Sequence, residues 1–204
     1  MEKLPSSPPT KRMVIYKATE YGAIAGIIAT WSISTAIAAS EYELGLPIST
    51  FYSIIGIALG LTNNNIVAAA YAGFGLHLLT GTILGAVVAA MTIRWKRANM
   101  LNPYKGTLIG IAAGIVVWLV FFLPITALLV QPSIPHIVTL LAVSTNHPIL
   151  SDNINESFRG IAISAIVFHI IWGAIFGFIS SSLLRAKAFK NQIKNMCNGN
   201  DFTP

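Results

Sequence analysis

The run IVAAAYAGFGLHLLTGTILGAVVAAMTI, residues 66–93, leaves a chain very few folds to choose from. Crossing the hydrocarbon core of a bilayer takes about 20 apolar residues in a helix. Three more runs meet that demand, at residues 21–39, 106–130 and 161–184. The composition agrees, with 54% hydrophobic and only 10% charged residues. A soluble domain carries about a quarter charged residues. A fifth apolar run, residues 48–61 (ISTFYSIIGIALGL), is short for a span and reads as an interfacial or re-entrant helix. Residues 133–143 read the same way. The expected fold is all-α and polytopic: four transmembrane helices, with short interfacial helices in the outer loops. Residues 1–18 form a polar tail, 19–190 the membrane domain and 191–204 a second tail. The first tail lacks the apolar core and small-residue cleavage site of a signal peptide, so the first run is expected to stay as an anchor.

The basic residues set the orientation. Lys3, Lys11, Arg12 and Lys17 precede the first span. Arg94, Lys96, Arg97 and Lys105 lie between the second and third, and Arg185, Lys187, Lys190 and Lys194 follow the fourth. Only Arg159 of the 13 lies elsewhere. The positive-inside rule places all three clusters, and both termini, in the cytoplasm. The outer loops then carry Glu41, Glu43, Asp152 and Glu156. A fifth span would put the third cluster on the wrong side. Orientation and anionic headgroups account for the net charge of +6. No aromatic-basic platform for nucleic acid is present. The expected location is a cell membrane, inner or plasma, and the expected partners are lipid and other membrane subunits.

The chain also reads as a duplication. His77-Leu-Leu-Thr-Gly81-Thr-Ile-Leu-Gly85 returns as His169-Ile-Ile-Trp-Gly173-Ala-Ile-Phe-Gly177. The first span opens on Gly22 and Gly26, the third on Gly106 and Gly110, and a proline-bearing outer segment follows each. Two parallel copies, about 19–97 and 103–190, imply a pseudo-two-fold axis along the membrane normal. Spacing by four keeps each histidine on one face with its glycines, and Gly73 and Ala165 extend those faces by a turn. Small-xxx-small faces let helices approach closely.

His77 lies 17 residues before Arg94, and His169 16 before Arg185. Both then sit about 25 Å from the cytoplasmic charges, at matching depth. Intramembrane ionisable groups are functional candidates. The sharp reading is a shared site: two imidazoles on a haem iron or a copper ion, with neighbouring glycines making room for a macrocycle. A milder version binds a quinone or relays protons. The plain reading is packing, each histidine meeting a backbone acceptor. Pro124 removes the hydrogen bond to the Val120 carbonyl, kinking the third span and freeing an acceptor. Thr30, Ser32, Ser34 and Thr35 offer hydroxyls on the first span.

Other residues carry less. Trp31, Trp118 and Trp172 read as packing, and Trp95 as an interface anchor. His136, His147, Asp152 and Glu156 fit no metal-ligand spacing. Thr62-Asn63-Asn64-Asn65 reads as a polar loop and helix start, with asparagine able to cap. The single cysteine, Cys197, excludes a disulfide framework within the chain and CxxC sites. No Ser-His-Asp order, P-loop, HExxH or paired carboxylates occur.

The order is a glycine-rich first helix, then a helix with an outer histidine, a third opening Tyr104-Lys105-Gly106 and closing Phe121-Phe122-Leu123-Pro124, and a fourth with histidine before arginine. Over roughly residues 70–185 this resembles the YagU-like small inner-membrane proteins. The resemblance implies a four-helix inner-membrane protein and brings no catalytic residues. The functional expectation is a non-enzymatic accessory or scaffold protein without a cofactor. The alternatives are a haem- or metal-binding redox protein using His77 and His169, or a small transporter with a path lined by Thr30, Ser34, Thr80 and Thr82.

Overall fold

The computed structural model describes residues 11–43, 46–61, 65–94, 102–135, 139 and 154–185, and among these it is helical without strands. The helices are α1 (Lys11–Glu43), α2 (Thr50–Ala58), α3 (Ile66–Arg94), α4 (Pro103–Pro135) and α5 (Ile154–Leu184). All but α2 are long and apolar enough to cross a bilayer. Segments of this composition have no water to satisfy their backbone, so every N–H must find a carbonyl within the helix. Their few hydroxyls follow suit. Thr30 donates to the Gly26 carbonyl at 2.8 Å, Ser34 to Thr30 at 2.9 Å and Thr82 to Leu78 at 2.7 Å.

The ends are set by local chemistry. Asn102 caps α4, its Oδ1 accepting from the Tyr104 N–H at 3.0 Å, with Pro103 at the first helical position. Asn65 Oδ1 accepts from the Ala68 N–H at the start of α3. Helix α2 stops at Gly60, whose φ of 64° lets its N–H reach the Ile57 carbonyl while that of Leu61 reaches Gly56. Inside α4, Pro124 lies between two π-helical turns, Trp118–Phe122 and Thr126–Val130. The chain absorbs the missing N–H by widening, with the Leu123 N–H on the Trp118 carbonyl. Residues 133–135, expected in a short outer helix, complete α4; the rest of that stretch, Thr139 aside, lies outside the described residues.

Packing is pairwise. α1 lies along α3 and α4 along α5, α2 crosses the first half of α3, and α1 also meets α5. Both long pairs are seamed by glycine. Gly22 faces Gly85 and Ala89, and Gly26 faces Gly81 and Gly85. Gly106 faces Gly177 and Ser181, and Gly110 faces Gly173 and Gly177. Without Cβ atoms the backbones touch, and close contact between helices is the main attraction available in lipid. Between the pairs lies a core of Ala25, Ala29, Ile33, Trp172 and Phe176. There the Trp172 Nε1–H donates to Thr30 Oγ1 at 2.9 Å, joining α5 to α1. The outer faces are apolar too: Leu119, Val120, Phe121, Ile125, Leu128 and Leu129 of α4 are exposed. Such a continuous surface is costly in water and costs nothing against acyl chains.

The buried Thr30–Trp172 bond gives a first prediction. A double-mutant cycle of Thr30→Val and Trp172→Phe should show a coupling of about 1 kcal/mol in detergent unfolding. A coupling of zero would mean that the two side chains act independently.

Candidate functional site

His77 and His169 both sit within their helix bundles, half-buried rather than facing outward. Helix α2 covers His77: the Phe51 and Tyr52 rings lie 6.2 and 5.6 Å from the imidazole. The Phe122 ring of α4 lies 5.1 Å from His169, two residues before Pro124.

Their hydrogen bonding differs. His169 Nδ1 meets the Ala165 carbonyl of its own helix at 2.7 Å. A carbonyl can only accept, so Nδ1 carries the proton and Nε2 keeps a lone pair in the neutral ring. His77 Nε2 is buried without a hydrogen-bond partner. The first-span hydroxyls donate within their own helix, and Thr30 Oγ1 accepts from Trp172 rather than from a histidine. Ser32 and Thr35, like Thr30 and Ser34, bond carbonyls of α1 itself. The backbone partner of His169 is Ala165 rather than Val120.

The glycines one turn from the histidines are packed against neighbouring helices. Gly81, one turn from His77, is filled by the Thr30 side chain. Gly173, one turn from His169, is filled by Gly110, and the His169 carbonyl itself lies against Gly114. A residue spacing that could admit a cofactor is here used to bring helices together. No group of three or more His, Cys, Asp or Glu side chains gathers among the described residues. His136, His147, Asp152 and the Glu156 side chain lie outside them.

Trp172 is buried as packing, stacked on Phe176 at 5.4 Å. Trp31 faces outward, 57% exposed, with its edge against Phe74 at 5.7 Å. Lys17 and Glu20 form an exposed ion pair at 2.8 Å.

Two groups not visible in the sequence organise the end of the molecule where α2 lies. Glu41, read as a loop acid, is in the last turn of α1 and only 5% exposed. Its Oε2 accepts from the Ser49 N–H at 2.8 Å and its Oε1 from the Phe51 N–H at 2.6 Å. These are the free donors at the start of α2, where a carboxylate is favoured. Ser49, with φ 80°, is held in the left-handed region at that junction. Tyr52 is the second group: it is 5% exposed, and its hydroxyl has no hydrogen-bond partner. An acid ending an apolar span shortly before a short helix was the signal available for Glu41.

No protein-family model matches this chain, and no curated protein or solved structure matches it.

Proposed function

We propose that this is a multi-pass integral protein of a cell membrane, inner or plasma, acting as an accessory or scaffold subunit through helix packing and without catalysis of its own. The observation that carries the reading is the pair of glycine seams. The same register recurs in both: Gly22 on Gly85 with Gly26 on Gly81, and Gly106 on Gly177 with Gly110 on Gly173. That recurrence supports a parallel 2+2 repeat, and the three basic clusters support cytoplasmic termini. The glycines serve contact between helices.

The hydroxyls named for a transport path speak less for that reading: Thr30 and Ser34 are buried and donate within α1, Thr82 donates within α3, and Thr80 is exposed. The redox reading keeps one observation, the unpartnered His77 Nε2. A visible absorption spectrum and metal analysis of the purified protein decide between them. The expected result is no absorbance above 320 nm, about the limit of aromatic side chains, and no stoichiometric metal. A Soret band lost in His77→Ala would replace the packing proposal with a haem protein.

A further inference from the structure

Two contacts set the register of α1 against its neighbours, and both carry an arginine to the same turn. Gly22 of α1 faces Ala89 of α3. Five residues back from Gly22 is Lys17, and five on from Ala89 is Arg94. The Thr30–Trp172 bond joins α1 to α5. Thirteen residues back from Thr30 is again Lys17, and thirteen on from Trp172 is Arg185. Helices rise alike, so Arg94 and Arg185 both come level with Lys17, one from each of two helices packed on α1. Ala18 and Leu184, the neighbours of Lys17 and Arg185, are buried in one cluster, as that register requires.

Three observations define what this turn can hold. Both arginines are exposed, and neither has an ion pair among the described residues. The acid described at this end, Glu20, is held by Lys17 at 2.8 Å. At the opposite end the charged side chains described are Glu41 and Glu43 instead. Two guanidinium groups therefore stand at one end without a counter-charge. The third observation is level. Tyr16, beside Lys17, and Tyr104 of α4 are exposed, and tyrosine is enriched where a membrane meets water. Lipid phosphates lie at that depth. Arginine presents a planar fork of donors that matches a phosphate, and basic residues between helix ends are suited to anionic headgroups.

We propose that Arg94 and Arg185 form a cradle, across the Lys17 turn of α1, for the phosphate of one anionic phospholipid. The cradle rests on the membrane reading given above, and its placement in the cytoplasmic leaflet rests on the orientation. A zwitterionic lipid offers the same phosphate but brings an ammonium group, which the two arginines repel. The cradle therefore selects a headgroup of net negative charge.

The test uses the full chain in nanodiscs of phosphatidylcholine with a minor share of phosphatidylglycerol. The protein is released into a neutral detergent and weighed with its retained lipid by native mass spectrometry. One phosphatidylglycerol per chain is expected, preferred about twentyfold over its supplied share. Arg94→Gln and Arg185→Gln should each lower that preference about fivefold, and the double variant should abolish it. Lys105→Gln removes the same charge at the same end but from α4, and should leave the preference unchanged. An equal loss in Lys105→Gln would assign the preference to net charge and overturn the cradle, as would a preference that survives the double variant. Displacement of the lipid by excess inorganic phosphate would mark a site for a free anion and overturn the lipid assignment. A chain that enters the discs and retains phosphatidylcholine as readily overturns the cradle alone. A chain that does not enter them overturns the membrane reading and the cradle with it.

Discussion

Gly110→Ala is expected to destabilise the protein by about 3 kcal/mol or more, the upper end of the cost of overpacking a tight core. A Cβ at that position would overlap the Gly173 carbonyl oxygen and stand 2.9 Å from the Gly177 Cα. Both obstacles are backbone, which cannot rotate away as a side chain would. Helices α4 and α5 would have to separate along their length and lose contacts on either side of the substitution. Gly75→Ala is the matched control. It adds the same methyl to α3, but nothing lies within 4 Å of the new Cβ. Alanine is the better helix former, so this variant should be unchanged or more stable by up to about 1 kcal/mol. Detergent unfolding followed by circular dichroism measures both. Equal effects at the two positions would mean that glycine serves helix flexibility here rather than contact.

The glycine seam was legible because spacing by four on a helix fixes one face, and a run of small residues on that face has few uses in lipid. The four long helices were legible for a related reason: length and apolarity together decide the matter. What the sequence concealed lies between distant segments. Thr30 and Trp172 are 142 residues apart, and nothing in either neighbourhood announces their hydrogen bond. The histidines show the limit most clearly. Their spacing to Gly81 and Gly173 was visible, but it fits a cofactor chamber and a packed seam equally. Only the position of Thr30 and Gly110 against those glycines separates the two. Glu41 was concealed because its partners, Ser49 and Phe51, follow a turn whose path depends on α2 folding back on α3.

Glu41→Ala should release α2. The substitution leaves the Ser49 and Phe51 N–H groups without their acceptor in a buried corner. Hydrogen bonds to a charged group contribute about 1.5–3 kcal/mol each, and the loss here falls on a nine-residue helix. A local loss of about 2–3 kcal/mol corresponds to roughly 30- to 140-fold faster amide exchange. Hydrogen-exchange mass spectrometry should show that acceleration across α2, with the second half of α3 unchanged. Glu41→Gln keeps one acceptor oxygen and should fall between the two. Unaltered exchange in α2 would show that Gly56 on Ala69 and Tyr52 on Gly73 hold this helix without the carboxylate.

The whole account rests on four crossings with both ends on one side. The chain carries its own probe, the single Cys197 beyond α5. A membrane-impermeant maleimide applied to intact cells, or to spheroplasts if an outer envelope bars access, should leave Cys197 unlabelled until the membrane is opened. In a Cys197→Ser background, Met100→Cys should behave the same way, and Thr62→Cys should label at once. Labelling of Met100→Cys from outside, with Thr62→Cys protected, would contradict the account: it would invert the orientation drawn from the basic residues.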